Sequence, residues 1–551
     1  MIKVQCLNTQ HETEYPHGTP ISEIAQKEGV KLKYPILGAL VNNKVRDYTY
    51  RIHKPCQVLF FDITSPYGAD MYRRSLCFVL FKVVSDMLPN VQLRILHSIS
   101  GGKYCRLSGY NEEITDSLVA RIKAGMQTLV ERNVPFKRIE LQTPQALEEY
   151  ARHGMDEKAR LFQYRKRLYT SIYALDDKIN YYYGFLLPST GYLTLFDIEK
   201  YEDGLLLKMP MPKRPETLSA THYNPKLFAV YKLYRDVAMR MGVPYVMDLN
   251  VKTVSGEIAD VIRIAEAAQE NRFAEIAKEI HDRGGVKMVM ISGPSSSGKT
   301  TTCKRISVQL ALQGYRPVQV SVDDFFLERE QTPRDKNGEY DFETIEAIDL
   351  PLFNQTLQQL MEGKEVPLPT FDFTQGKKVW GDKKVQMQDD SILIIEGIHC
   401  LNPKLTASIP DEVKYKIFVS ALTCISIDSQ NPIPTTDNRL IRRIVRDHKY
   451  RGYSALDTLR RWQSVRNGEA KNIFPYQENA DVMVNSALIF ELGILKQYAV
   501  PVLREVPETV PEYAEACRLL KFLSYFKTIP PEKIPGTSIL REFVGGSQFS
   551  Y

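Results

Sequence analysis

Cysteine is sparse in this chain and never paired. The eight cysteines, Cys6, Cys56, Cys77, Cys105, Cys303, Cys400, Cys424 and Cys517, are scattered over 551 residues with no Cys-x-x-Cys spacing. That removes the usual signature of structural zinc or dithiol chemistry and fits a reduced, cytoplasmic setting. Long apolar runs are missing too. The longest, residues 76–84, is interrupted by Lys82 and falls far short of the roughly 20 apolar residues a membrane span needs, so no membrane partner is expected. The N-terminus lacks a basic stretch followed by an apolar core, which argues against an export signal. Net charge is only +6, too little to argue for nucleic-acid binding by the chain as a whole. Repeats and low-complexity tracts are absent, and 25% charged with 43% hydrophobic residues describes folded globular protein. A chain this long exceeds one hydrophobic core, so about three or four domains are expected.

One short segment carries chemistry. Gly293-Pro294-Ser295-Ser296-Ser297-Gly298-Lys299-Thr300 is a complete G-x-x-x-x-G-K-[ST] loop. Residues 286–292 read as a buried strand before it and residues 300–313 as a helix after it, stopped by Gly314. Strand, loop, helix is the context the motif requires. Its glycines let backbone N–H groups curl around phosphates at a helix N-terminus, where the peptide dipoles favour anions. Lys299 then reaches the outer phosphates, Thr300 offers a hydroxyl to Mg²⁺, and Thr301 completes the cradle. ATP and Mg²⁺ are the expected cofactors.

Carboxylates follow at the positions such chemistry uses. Residues 318–322 read as a parallel strand that delivers Asp323 and Asp324 to its C-terminal end, where ligands gather in α/β sheets. A carboxylate there accepts a proton from an attacking hydroxyl, holds Mg²⁺, or simply caps a helix. A further strand, residues 391–395, ends in Glu396-Gly397, a candidate for the magnesium shell. Arg439, Arg442, Arg443 and Arg446 recur at spacings of three and four, so most share one helix face. Such a face attracts triphosphate and closes over it as a lid, or is a solvated face paired with acids.

The ordered set Ser321-Val322-Asp323-Asp324-Phe325-Phe326, Tyr340-Asp341-Phe342-Glu343, Pro369-Thr370-Phe371-Asp372-Phe373 and Ile395-Glu396-Gly397, followed by the arginine helix, resembles the uridine kinase and phosphoribulokinase family over residues 286–487. The resemblance implies that Asp323 is the catalytic base, that Asp341 grips the acceptor ribose, and that Thr300, Asp323 and Glu396 surround the metal. It further implies lid roles for Arg439, Arg442 and Arg446, with Phe371 and Phe326 in the acceptor pocket. One departure stands out. The histidine with which those kinases read a pyrimidine is absent, because Phe371-Asp372-Phe373 runs into Thr374-Gln375-Gly376-Lys377-Lys378. A purine nucleoside or sugar phosphate therefore stays open beside uridine and cytidine.

Upstream, residues 1–65 read as a small α+β module: strands over 2–7, 36–41 and 57–62, and a helix with Thr19 as N-cap, Pro20 at its first position and Gly29 at its end. Helices over 70–88 and 115–132 then alternate with strand-like stretches at 181–187 and 192–198. Residues 216–284 are mostly helical, and 488–551 form a helical tail expected to pack on the preceding unit or at a contact between copies in a homo-oligomer. The first module resembles a TGS domain. Residues 66–215 resemble the second additional domain of threonyl-tRNA synthetases, with Arg74 and Phe78 where that domain carries paired editing histidines, and with no cysteine or histidine in residues 184–191. Editing chemistry is therefore expected to be absent. His97 and His153 are given no role.

The expected fold is α/β, a P-loop kinase with a parallel sheet over 285–487, preceded by two α+β domains. A different class of reading remains: an ATP-dependent RNA-binding or regulatory protein. Arg160, Arg165, Lys166 and Arg167 interleave with Phe162, Tyr164 and Tyr169, a composition that can hold RNA by phosphate contact and stacking.

Overall fold

In the computed structural model the described residues are 1–165, 167–334, 338, 340–372 and 375–550, with Lys383 described by its backbone alone. Lys166 of the basic stretch and Phe373 and Thr374 of the acceptor-pocket motif lie outside them.

The chain opens with a five-stranded mixed sheet. Ile2–Cys6 and Cys56–Phe61 pair in parallel at its centre, flanked by His11–Tyr15 on one side and the hairpin of Gly38–Val41 and Lys44–Asp47 on the other. Helix Ile21–Lys27 buries Ile21, Ile24 and Ala25 against it. The N-cap expectation is corrected: Pro20, not Thr19, precedes the helix, and the Thr19 hydroxyl donates instead to the Pro16 carbonyl at 2.8 Å. Gly29 behaves as expected, ending the helix at φ +62°, a left-handed conformation that costs a residue without Cβ little.

Next, helices Pro66–Met87 and Asp116–Glu131 cover a four-stranded antiparallel sheet ordered Asp197–Tyr201, Gly204–Lys208, Gly102–Ser108, Gln92–Ile99. The strand expected over residues 181–187 does not form. Its backbone is satisfied by side chains of the long helix, because Arg74 donates to the Phe185 carbonyl at 3.1 Å and Ser75 accepts from the Leu187 N–H at 2.8 Å. Apolar content made the segment look like a strand, but it serves a side-chain anchor rather than a sheet partner. The stretch at 192–198 is likewise only partly extended, its strand beginning at Asp197.

Helices Pro225–Arg240, Val246–Val254 and Ile258–Arg283 lead into a five-stranded, wholly parallel sheet. Its order is Arg316–Ser321, Ser391–Glu396, Met288–Ser292, Lys414–Ser420, Val482–Asn485. Every residue of Met288–Ser292 is buried, as expected of a central parallel strand covered on both faces. Helix Ile258–Arg283 supplies one cover, packing Phe273, Ile276 and Ile280 on Val289, Ile291 and Ile306. Among the described residues, no helix is long and apolar enough to cross a membrane.

The tail, with helices Glu491–Arg504 and Tyr513–Leu523, packs on this same body. Asn250, only 1% exposed, holds it there: its amide donates to the Tyr525 carbonyl and its oxygen accepts from the Lys527 N–H, both at 2.8 Å. Replacing Asn250 by Ala strands two buried backbone groups and is expected to cost about 2–4 kcal/mol. Limited proteolysis of residues 500–550 checks this; unchanged resistance in Asn250→Ala refutes the anchor.

Candidate active site

The parallel sheet brings its chemistry to one edge. In register, Ser321, Glu396 and Ile291 lie side by side on neighbouring strands, so the phosphate loop and both acids emerge at the same end. The loop is tightly seated. A Cβ on Gly293 would stand 2.1 Å from the Val419 carbonyl oxygen, and Gly298 caps helix Lys299–Leu312 at φ +82°. The Ser296 and Ser297 hydroxyls are buried without a protein partner. Unmet donors at a helix N-terminus fit a phosphate ligand.

Thr300 Oγ1 and Ser321 Oγ each lie 3.4 Å from Glu396 Oε1. Asp323 stands two residues beyond Ser321, whose hydroxyl accepts its N–H at 3.3 Å; Ser321, not an aspartate, is therefore the cap of this turn. Burial raises the Asp323 carboxyl above its ordinary range, opposed by the charges of Lys299, Arg451 and Arg446. Burial also pushes Glu396 up to about 7, against the pull of Lys299 and with the help of Asp323 and Glu542. Hydroxyls and carboxylates form an all-oxygen donor set, the kind a hard cation such as Mg²⁺ selects. Among the described residues, no cluster of three or more His, Cys, Asp or Glu side chains is placed to hold a metal ion.

Asp324 faces away from this group, its carboxylate accepting the Phe371 N–H at 3.2 Å. Phe326 and Phe371 pack edge to face, 5.7 Å between centroids, and each is 5% exposed. Packed on each other and buried, neither offers a free stacking surface. Asp341 is half-buried and accepts the Glu343 N–H at 3.1 Å.

The arginine helix, Thr435–Arg451, departs from expectation. Arg439 and Arg442 are 1% and 0% exposed, so they present no open cationic face. Arg439 pairs with Glu469 and donates to the Ser295 carbonyl at 3.0 Å. Arg442 pairs with Glu491 at 2.5 Å and bonds the Ser486 carbonyl and hydroxyl. A buried guanidinium needs a carboxylate to offset its lost hydration, and both find one. Glu469 Oε1 in turn accepts the Ser295 N–H at 3.0 Å. These arginines hold the phosphate loop from behind. Arg446 and Arg451, further along the helix, direct their field at Asp323.

Several residues of the site gave no signal in the sequence. Glu469 and Glu491 lie 30 and 49 residues beyond their arginines, and Glu542, which accepts the Thr301 hydroxyl at 2.6 Å, lies 241 residues away. Ile539 covers Gly298 from the same tail. His399 follows the Glu396 strand and is wholly buried, held down at about 4 by desolvation and so neutral. An acid-Gly-Ile-His run after an apolar strand was its available signal. His97, half-buried, stacks on Tyr231 at 3.6 Å and serves packing.

A phosphate loop at the C-terminal end of a parallel sheet, with Glu396 ending the adjoining strand and Asp323 just beyond the strand after that, is the arrangement of a P-loop kinase domain. Residues 288–489 match the Phosphoribulokinase / Uridine kinase family. The chain is 27% identical over 198 residues to Uridine-cytidine kinase B of Dictyostelium discoideum, covering 36% of this chain and 73% of that one. It is 29% identical over 202 residues to Uridine kinase of Saccharomyces cerevisiae, covering 36% of each. It is also 26% identical over 189 residues to Threonine–tRNA ligase of Thermotoga neapolitana, covering 34% of this chain and 29% of the ligase. Among solved structures, it is similar to a possible uridine kinase from Bacillus stearothermophilus (21% identity, 39% of this chain and 98% of that one, TM-score 0.27). Phosphoribulokinase from Rhodobacter spheroides is another (20% identity, 36% and 69%, TM-score 0.25).

Glu343 offers a test of the site's electrostatics. Burial, with Glu469 beside it, pushes its carboxyl up to about 7. A raised carboxyl pKa means the folded state holds the proton more tightly, so its cost is absent below the unfolded value near 4.5 and complete above pH 7. Glu343→Gln is expected to stabilise the domain by about 2 kcal/mol at pH 8 and to leave it unchanged at pH 4. Denaturant unfolding followed by the fluorescence of buried Trp462 measures both; equal effects at the two pH values refute the assignment.

Proposed function

We propose that this protein is an ATP-dependent kinase that phosphorylates the 5′-hydroxyl of a nucleoside, of the uridine or cytidine type, giving the nucleoside monophosphate and ADP. The observation that supports it most is the placement of Asp323. It is the acid at the mouth of the phosphate loop, set against Lys299, Arg446 and Arg451 and beside the Phe326 and Phe371 pair.

In this reading residues 293–301 cradle the triphosphate, with loop N–H groups and the Ser296 and Ser297 hydroxyls on its oxygens. Asp341 orients the acceptor's ribose. Asp323 takes the proton of the acceptor hydroxyl as that oxygen bonds to the γ-phosphorus, and the bond to the bridging oxygen of ADP breaks on the opposite side. Lys299 and Arg446 stabilise charge spread over the transferring oxygens. Thr300, Asp323 and Glu396 are the residues that would hold Mg²⁺, which neutralises the phosphate charge when bound. Arg439 and Arg442 act here as positioning residues that fix the loop.

The domain division that accompanies this proposal is a TGS-like module over 1–65, a synthetase-like unit over 66–215 without editing residues, a helical connector over 216–284, the kinase domain over 285–487 and the tail over 488–551.

Asp323→Asn is expected to lower kcat by about 10²-fold or more while leaving the KM for ATP within a few-fold, and Lys299→Ala to abolish turnover. ADP release measured against uridine, cytidine, purine nucleosides, ribose phosphates and pantothenate checks both variants and the acceptor. Full turnover in a folded Asp323→Asn protein sinks the base assignment; stimulation only by a sugar phosphate or purine nucleoside sinks the pyrimidine one.

A further inference from the structure

Away from the phosphate loop lies a cavity of about 1080 Å³ that phosphotransfer does not use. Three stretches distant in sequence build its wall, residues 44–74, 138–185 and 496–528. The volume lies just above the usual span of small-ligand sites, roughly 300 to 1,000 Å³.

Its charge is extreme. Eleven lysines and arginines line it against two carboxylates, Asp70 and Glu140. That is an excess of nine positive charges along the wall in a chain whose total is +6; of these, Lys44 is met by Glu508 and Arg518 by Asp437 and Glu515 from outside the wall. Asp70 is already engaged, by Arg73 at 2.5 Å and Arg74 at 3.8 Å. Arg165, Arg167 and Lys521 make no ion pair among the described residues, and the buried Arg165 Nε has no hydrogen-bond partner. Arg165 lies over the Tyr525 ring at 5.4 Å, which holds its guanidinium in place. Burial and the fields of Arg165, Arg167, Arg74 and Arg138 hold Lys521 down to about 7. Cations gathered in a concavity repel one another and concentrate a strong positive potential there, which a bound anion relieves.

The same wall carries rings. Tyr169 is 55% exposed, and Tyr164, Tyr183 and Phe185 are partly exposed beside it. Cations that take phosphate, interleaved with rings that take a planar base, are the two halves of nucleotide and single-strand recognition. The cavity also touches the catalytic body. Arg518, in its wall, pairs through both Nη atoms with Asp437 of the arginine helix.

We propose that this cavity is a second, separate site for a phosphate-bearing ligand of nucleotide type, its phosphates held by Arg165, Arg167 and Lys521 and its base placed on Tyr169. The ligand is a free nucleotide or the end of a single strand; both present the same chemistry. The proposal does not depend on which acceptor the kinase domain takes.

Binding to the full chain carrying Lys299→Ala, which disables the phosphate loop, tests it. The probes are ATP, UMP, a five-nucleotide single-stranded RNA and inorganic tripolyphosphate, titrated by calorimetry at two salt concentrations. Saturable binding is expected, weakened at least tenfold by Arg167→Ala combined with Lys521→Ala. Tyr169→Ala is expected to weaken the nucleotides and the RNA but not tripolyphosphate. RNA binding that exceeds that of ATP and UMP and falls more steeply with salt assigns the strand end; equal or tighter binding of ATP or UMP assigns the free nucleotide. Arg167 and Tyr169 are exposed, so their variants keep the fold, which an unchanged melting transition confirms. Absence of saturable binding for all four probes, or affinity unchanged in the Arg167 and Lys521 double variant, overturns the proposal. Tripolyphosphate binding with no response of any nucleotide to Tyr169→Ala overturns the role of the ring.

Discussion

Two buried arginine–carboxylate pairs carry the shape of the phosphate loop. Arg439 with Glu469, and Arg442 with Glu491, bond the carbonyls of Ser295 and Ser296 and the strand end at Ser486. The Glu469 carboxylate takes the Ser295 N–H as well. Each guanidinium also lies over an aromatic ring, Trp462 for Arg439 and Phe543 for Arg442. Removing one partner would leave a charge stranded in the interior, at a cost of about 3–5 kcal/mol. The loop is therefore fixed before any phosphate arrives, and preorganised donors stabilise developing charge without reorganising.

The tail takes part in this arrangement. Ile539 covers Gly298, Glu542 accepts from Thr301, and Phe543 lies under Arg442. A segment that showed only helical patterns thus forms one wall of the nucleotide site. Its earlier helix, Tyr513–Leu523, faces the other way and lines the cationic cavity. The same 64-residue stretch after residue 487 touches both concavities, because Asn250 pins its middle and Arg518 ties it to the arginine helix.

Much of the architecture was legible along the chain. Buried parallel strands announce themselves as short apolar runs, and Met288–Ser292 and Ser391–Glu396 fall within a residue or two of where those runs lie. The phosphate loop is legible because its function is local: successive backbone N–H groups of one segment do the binding. Residues 181–187 misled for the same reason. Their apolar content is real, but its partner is Arg74 and Ser75 of a helix over a hundred residues away. The arginine helix misled differently. Spacing put most of its arginines on one face, but spacing cannot say whether a face meets water or carboxylate.

The sequence by itself determined the loop, the strands that flank it and the acids at their ends, since each follows from residues adjacent in the chain. Only the tertiary structure decided which charges are neutralised and which are left in excess. Glu469 and Glu491 silence Arg439 and Arg442, while Arg165, Arg167 and Lys521 meet from two distant stretches with no ion pair among the described residues. Electrostatic energy depends on separation in space and on burial, and neither is a property of position along the chain.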